Sequence, residues 1–127
     1  MASAVLDASA VLAHILNEPG SQVVGVVAAE ALVSAVNLSE IVAKLLEQSL
    51  TLTQADEIVY RYGFEVLPFD EELARQAGAL RVPTRKLGLS LGDRACLALA
   101  QREGLPAVTA DRQWAKLKLG IEIKVVR

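Results

Sequence analysis

Short apolar runs alternate with helix-like segments along the whole chain. Strands are predicted at residues 4–6, 31–36, 64–67, 107–109 and 121–126, where the composition is apolar or β-branched. Between them, apolar residues recur every three or four positions, which is the spacing of an amphipathic helix. Helices are predicted at 8–16, from Asn37 or Leu38 onward, at 53–63, after Asp70 and at 90–103. This alternation predicts parallel βαβ units in one α/β domain spanning residues 1–127, with a sheet between layers of helices.

Composition narrows the classes of function. Hydrophobic residues make up 53 % of the chain and charged residues 22 %, which favours a packed core over disorder. The single cysteine, Cys96, excludes an internal disulfide, and with the single histidine, His14, it excludes a conventional zinc site. No apolar run reaches the ~18 residues of a membrane span. We therefore expect a soluble, cytoplasmic protein with no membrane partner.

Acidic residues follow the predicted strands. Asp7 comes directly after the first strand, Glu40 falls in the first turn of the helix after the second, and Asp111 lies just past the fourth. Asp93 lies on the apolar face of the last helix, where a carboxylate is costly unless something satisfies it. Because parallel strands end at the same edge of a sheet, these four carboxylates are expected to converge there.

Each of these acids also has a purely structural interpretation. Glu40 can pair with Lys44 on a solvated helix face, at i, i+4 spacing. Asp93 can complete the capping box of its own helix. Asp7 and Asp111 can cap the turns or helices that follow them. Taken together, however, these interpretations leave several carboxylates at one edge of the sheet.

Such a cluster of carboxylates needs compensation. Two carboxylates ~4 Å apart repel by about 4 kcal/mol at an effective dielectric constant near 20. Several can share a cleft only if protons or cations neutralise them. Oxygen donors without nearby Cys or His favour Mg²⁺ or Mn²⁺. The residues therefore predict a divalent-cation site lined by carboxylates.

Four segments of the sequence together resemble a known family. They are Val5-Leu6-Asp7-Ala8-Ser9-Ala10, Asn37-Leu38-Ser39-Glu40, the run from Leu89 to Ala100 that contains Leu-Ser-Leu-Gly-Asp, and Thr109-Ala110-Asp111-Arg112-Gln113-Trp114. In this order, and across essentially the whole chain, they are similar to PIN domains, above all to VapC-type toxins of bacterial toxin–antitoxin pairs. The resemblance implies a PIN-like three-layer α/β/α sandwich with a mostly parallel sheet of about five strands. It also implies pairing into a homodimer.

The resemblance further implies an activity. It points to endonucleolytic cleavage of RNA that depends on Mg²⁺ or Mn²⁺, in the toxin of a type II pair whose inhibitor is a small antitoxin protein. Position by position, Asp7, Glu40 and Asp93 match the family's core acids, and Asp111 matches a fourth acid whose role varies more. In that chemistry the carboxylates hold one or two cations, which bind the phosphate and acidify a water for in-line attack.

Hydroxyl and basic residues accompany the acids. Ser9 and Thr109 match small hydroxyl positions of the family, suited to holding water or orienting a carboxylate. The net charge of −2 disfavours a general polyanion binder, but setting the four acids aside leaves the rest of the chain net basic. Side chains near the acids are candidates for contacts with RNA phosphates: Arg81, Arg85, Lys86, Arg94 and Arg112. Their alternative role is that of ordinary solvated charges.

Other functions remain to be weighed against this one. An aspartyl phosphatase of the common kind needs an acid two residues after Asp7, where this chain has Ser9. A receiver domain needs paired acids at the first strand end and a lysine after the last strand, but Lys124 lies within a strand-like run. A ribonuclease that uses two histidines is excluded, because His14 is the only histidine. The remaining alternative is a catalytically inactive PIN-like module that binds RNA or protein.

Overall fold

The computed structural model describes residues 1–126 and confirms the alternation of strands and helices. The strands are β1 Ala4–Leu6, β2 Ala31–Ser34, β3 Glu65–Leu67, β4 Ala107–Thr109 and β5 Ile123–Val125. The helices are α1 Ala8–Ile15, α2 Gln22–Val27, α3 Ala35–Glu47, α4 Leu52–Tyr62, α5 Glu71–Ala79 and α6 Leu91–Glu103. Short 3₁₀ turns occur at Ala28–Glu30, Arg85–Leu87 and Arg112–Lys116. Within residues 1–126, no helix combines the length and apolar character needed to cross a membrane.

All five strands form one parallel sheet in the order β3-β2-β1-β4-β5. The chain starts at the central strand β1, builds β2 and β3 on one side, and returns to place β4 and β5 on the other. The boundary between β1 and β4 is therefore the point where strand order reverses. In open parallel sheets a crevice forms at this point, outside the carboxyl ends of the strands.

The two faces of the sheet pack against different helices. Successive side chains of a strand point to opposite faces, so Val5 joins a cluster with Leu97 of α6 and Trp114, whereas Leu6 joins one with Val11 of α1 and Ile41 of α3. Because both faces are covered by helices, the architecture is the predicted three-layer α/β/α sandwich. Aliphatic side chains supply most of both cores, and Trp114 is fully buried in the second.

The structure corrects two parts of the predicted element pattern. Residues 35 and 36, assigned to the second strand, are already helical, because Ser34 caps α3 by accepting a hydrogen bond from the backbone N of Val36 at 3.2 Å. Glu40 consequently lies in the second turn of its helix, not the first. Helix α2 was not predicted, since its valine-rich sequence has the composition of a strand. Its Val24 is nevertheless fully buried in the core with residues of α1.

The boundaries of α5 and α6 follow the predicted caps, whereas α4 starts at Leu52 after an unpredicted cap, Thr51. Asp70 caps α5 by accepting from the backbone N of Leu73 at 2.9 Å. Ser90 begins α6, and Gly104 ends it with φ of +65°, a left-handed conformation that glycine adopts without strain. These local signals fix where α6 starts, and so they place Asp93 at its first turn, beside the carboxyl ends of the strands.

Candidate active site

Asp7 lies at the centre of the site, directly after β1. Its backbone N donates to the carbonyl of Val108 at 2.8 Å, which extends the pairing of β1 with β4 to the edge of the sheet. Its side chain is only 3 % exposed. Although Asp7 is the N-cap residue of α1, its carboxylate makes no capping hydrogen bond. Asp7 therefore occupies the predicted cap position without capping the helix through its side chain, and its carboxylate is available for another role.

Two hydroxyl groups orient the Asp7 carboxylate. Ser9 Oγ donates to Asp7 Oδ2 at 2.5 Å, and Thr109 Oγ1 donates to the same oxygen at 3.1 Å. Each hydroxyl in turn accepts from a backbone N of the loop after β4: Ser9 from Ala110 at 3.0 Å and Thr109 from Asp111 at 3.1 Å. The backbone of the loop after β4 thus fixes both hydroxyls, and the hydroxyls fix Oδ2 of Asp7.

Burial changes the acidity of Asp7. The pKa of Asp7 is raised from 3.8 to about 7, chiefly by loss of solvent around the carboxylate. The hydrogen bonds from Ser9 and Thr109 lower this pKa, while the negative charges of Asp93 and Glu40 raise it. The thiol of Cys96 is fully buried, and its pKa is raised by that burial and by the charges of the same three carboxylates. The charges of Asp7, Glu40 and Asp93 therefore act on one small region, while Asp111, the fourth acid of the prediction, is not among them.

Glu40 is held against the start of α6 by contacts that the sequence did not predict. The buried Asn37 donates from Nδ2 to Glu40 Oε1 at 2.9 Å and to the carbonyl of Gly92 at 3.1 Å. The carboxylate packs so closely on Gly92 that a Cβ at this position would overlap it. The predicted pair with Lys44 does not form, because Lys44 lies 3.8 Å from Glu47 instead.

Asp93 serves as part of a helix cap. Its Oδ2 accepts from the backbone N of Ser90 at 2.9 Å, and its own N donates to Ser90 Oγ at 3.1 Å. The structural interpretation of Asp93 as a capping residue is thus correct, but it uses only one of the two carboxylate oxygens. The cap holds the side chain at the edge where its charge acts on Asp7.

These carboxylates fit a divalent cation by their donor chemistry. In the described part of the chain, Asp7 Oδ1, Glu40 Oε2 and Asp93 Oδ1 have no hydrogen bond from the protein, while the other oxygen of each is bonded. The buried Oδ1 of Asn37 also lacks a partner. Nevertheless, no group of three or more His, Cys, Asp or Glu side chains within residues 1–126 is arranged ready to hold a metal ion.

The family is decided by comparison with known proteins. A model of the PIN domain family matches residues 4–119. The chain belongs to the PIN domain family. A search of curated protein sequences gives no match.

Solved structures share the fold of this PIN domain at low sequence identity. A chain of the DNA-bound VapBC from Salmonella typhimurium is 20 % identical, with all of both chains covered and a TM-score of 0.76. VapBC2 from Rickettsia felis, bound to a DNA fragment from its promoter, is 16 % identical, with 98 % of each chain covered and a TM-score of 0.74. VapBC-5 from Mycobacterium tuberculosis, of the VapBC family of toxin-antitoxin systems, is 24 % identical, with 100 % of this chain and 99 % of that chain covered and a TM-score of 0.66.

Asp111 lies at the rim of the PIN-domain site rather than with the other three acids. Its side chain is exposed, and Oδ1 accepts from the backbone N of Gln113 at 2.9 Å, which caps the turn Arg112–Lys116. It is not among the charges that raise the pKa of Asp7. Only its backbone is tied to the centre of the site, through Thr109.

The five basic candidates divide into two groups. Arg81, Arg85, Lys86 and Arg112 are exposed. Arg94 is half-buried, and its Nη1 donates to the carbonyl of Ala77 at 3.0 Å, which ties it to the end of α5.

Two other residues considered from sequence serve packing. His14 Nδ1 lies 2.6 Å from the hydroxyl of Tyr62, an interaction that joins α1 to α4. Trp114 is fully buried and anchors the turn after Asp111 in the core.

Titration of Asp7 should make the metal-free protein less stable as pH rises. The folded protein binds this proton with a pKa of about 7, against 3.8 for an ordinary aspartate, so the stabilisation is complete below pH 3.8 and is lost as pH rises through 7. Across this pH range the free energy of unfolding should fall by about 4 kcal/mol in total, at ~1.36 kcal/mol per pKa unit. Asp7→Asn removes this titration. In EDTA, its free energy of unfolding should exceed that of the wild type at pH 8, and the advantage should shrink toward pH 5.

Denaturant unfolding between pH 5 and 8 measures this difference. The exposed Asp56→Asn serves as a matched control and should follow the wild-type curve. Parallel curves for Asp7→Asn and the wild type would show that Asp7 does not carry the pH dependence.

Proposed function

We propose that this PIN domain is a Mg²⁺- or Mn²⁺-dependent endoribonuclease and the toxin of a type II toxin–antitoxin pair. One observation carries the proposal: the charges of Glu40 and Asp93 act on Asp7, and among residues 1–126 each of these three acids has one carboxylate oxygen without a hydrogen bond from the protein. Burial of Asp7 beside two other carboxylates raises its pKa to about 7. A cation would relieve both the repulsion and the loss of solvation.

Two sets of residues have different roles in such a site. Asp7, Glu40 and Asp93 would hold the cation through their free oxygens. Ser9 and Thr109 fix the direction of the Asp7 carboxylate by bonding Oδ2. When bound, Mg²⁺ or Mn²⁺ supplies a Lewis acid for the phosphate and lowers the pKa of a coordinated water.

Asn37 and Asp111 take positioning roles in this proposal. Asn37 holds Oε1 of Glu40, so that Oε2 remains directed away from the protein bonds. Asp111 stands at the rim, where it can receive a water-mediated contact while its Oδ1 caps the following turn. The product of water attack on the phosphodiester is a downstream fragment that carries a 5′-phosphate.

Positive charge at the rim supports RNA as the substrate. Arg81, Arg85, Lys86 and Arg112 are exposed and can approach phosphates. Arg94 is half-buried and already donates to the carbonyl of Ala77, so it is less accessible to RNA than the other four. Such contacts would make affinity fall steeply with salt concentration.

An antitoxin partner and a homodimer are part of the same proposal. Their support is the fold shared with chains of VapBC complexes and with a toxin-antitoxin complex from Klebsiella pneumoniae. Exposed apolar side chains also remain on several helices, among them Leu16 after α1, Val26 of α2 and Tyr60 of α4. Apolar surface of this kind is available for burial against a protein partner.

Cleavage of RNA by the purified, partner-free protein tests the proposed activity. We expect discrete fragments with 5′-phosphates from a total-RNA substrate in Mn²⁺ or Mg²⁺, and none in EDTA. Return of cleavage when Mn²⁺ is added back to the EDTA sample is the control for protein damage. RNA that binds but is never cut under any of these conditions would contradict the enzyme and support the inactive binding module instead.

A further inference from the structure

A basic pocket lies beside the proposed active site. It has a volume of about 740 Å³ and is formed by two segments, residues 82–87 and 113–119. Four exposed cationic side chains line it: Arg85 and Lys86 on one wall, Lys116 and Lys118 on the other. Neither segment contains an acidic residue. Its size falls within the roughly 300–1,000 Å³ of ligand-binding pockets.

The charges of this basic pocket are not neutralised by carboxylates of the described residues. Within residues 1–126, none of the four cations forms an ion pair with a carboxylate, whereas Lys44 lies 3.8 Å from Glu47 and Lys124 lies 3.9 Å from Glu122. Cations of one sign around a concave surface repel one another and create a positive potential within it. An anion that enters the pocket would therefore be bound by charges from both walls.

Both walls of the basic pocket are anchored to the core. Thr84 is buried, and its Oγ1 donates to the carbonyl of Leu80 at 2.6 Å, which fixes the first wall to the end of α5. The second wall follows the fully buried Trp114, whose carbonyl accepts from the backbone N of Leu117 at 3.0 Å. The pocket thus exists before any ligand binds, which reduces the entropy lost on binding.

Apolar side chains make up the rest of the lining. They are Val82, Pro83, Leu87, Leu117 and Leu119. A nucleotide carries a phosphate for the cations and a flat base that can pack on apolar surface, so it matches both parts of the lining. A purely acidic peptide segment matches only the cations.

A shallow cavity connects the basic pocket to the acids. It is lined by Ser9, Ala110, Asp111, Arg112 and Gln113, and Gln113 also lines the basic pocket. At its other end, Ser9 bonds directly to Asp7. A chain lying along this surface would pass from Asp7, across Arg112 and Gln113, into the basic pocket.

We propose that the basic pocket binds a nucleotide of single-stranded RNA away from the bond that is cut, with Lys116 and Lys118 as its previously unassigned phosphate contacts. This inference rests on the proposed ribonuclease function, and it defines the path of the RNA across the surface of the domain. The RNA leaves the acid cluster over the loop after β4 and not over α1. The sequence analysis did not select either lysine, although both follow Asp111 within one short segment.

Fluorescence anisotropy tests the proposal with a labelled single-stranded RNA of about ten nucleotides, long enough to reach from the acids to the basic pocket. The measurement is made in EDTA, so that the RNA is not cleaved. The double variant Lys116→Gln/Lys118→Gln should bind roughly tenfold more weakly at ~0.1 M salt, and its log K against log salt slope should be less steep by about 1.4. The control Lys44→Gln/Lys124→Gln makes the same change in net charge away from the pocket and should leave both quantities unchanged.

The outcomes separate this proposal from the function on which it rests. If the wild type binds and cleaves RNA but the pocket variant binds it as tightly, the pocket assignment is overturned and the ribonuclease stands. If the wild type neither binds nor cleaves RNA, both the pocket assignment and the proposed ribonuclease function are wrong. If the pocket variant loses affinity for a polyglutamate peptide but not for RNA, the pocket is instead a docking site for an acidic protein segment.

Discussion

Asp93→Asn should reduce metal-dependent RNA cleavage by at least about a hundredfold, the loss expected when a charged ligand worth several kcal/mol is removed. The substitution is selective because asparagine retains an oxygen that can accept from the backbone N of Ser90, as Asp93 Oδ2 does at 2.9 Å. The cap of α6 is therefore preserved while the negative charge is lost. Initial rates of RNA cleavage in Mn²⁺, with Tm measured beside them, provide the comparison.

The matched control for this substitution is Asp56→Asn. Asp56 is an exposed carboxylate of α4, so the same chemical change there should leave the rate and Tm unchanged. Equal rates for Asp93→Asn and the wild type would mean that the site is elsewhere or that a contaminant cuts the RNA. A rate lost together with Tm would instead assign Asp93 to stability alone.

Gly92→Ala should separate activity from stability in a different way. The new Cβ would overlap the carboxylate of Glu40, which is the far end of a flexible side chain and can move aside. We expect cleavage to fall about 10–100-fold, as when a group that orients a metal ligand is lost. Stability should change little, because the gain of about 1 kcal/mol that alanine has over glycine in a helix is offset by loss of the hydrogen bond from Asn37 to Glu40.

Gly78→Ala is the control for the effect of alanine on a helix. Gly78 lies in α5, and a Cβ there would meet no atom within 4 Å. This variant should gain stability without losing activity. If Gly92→Ala cleaves RNA at the wild-type rate, the close approach of Glu40 to α6 has no role in the reaction.

Patterns within single elements predicted most of this fold. Alternating apolar runs gave the parallel sheet and its helices, and the caps Asp70 and Ser90 marked helix starts correctly. Such signals are local, since a cap depends on a side chain and a backbone N three residues apart. Helix α2 was not predicted because its valines intrinsically favour a strand. In the structure this segment is helical, and Val24 is buried against α1.

The candidate site was predictable only in part. Strand ends in a parallel sheet share an edge, so the convergence of Asp7, Glu40 and Asp93 followed from topology. The sequence pattern places Asn37 at the start of a helix. That this polar residue lies one turn before Glu40 on a buried face was a signal that it could hold the Glu40 carboxylate. The contact of Glu40 with Gly92 joins residues far apart in sequence, and no local pattern could reveal it.

The hydroxyl network around Asp7 has a consequence for how the protein is made. The network joins Asp7 to the end of β4 and the loop that follows it. About a hundred further residues must therefore be synthesised after β1 before β4 can pair with it. Chains emerge from the ribosome at roughly 5–20 residues per second. Until β4 emerges, the nascent chain holds the first acids without the hydroxyl from Thr109 that orients them. The candidate site is therefore assembled only after residues 109–111 have been synthesised, and chains that terminate before them lack it.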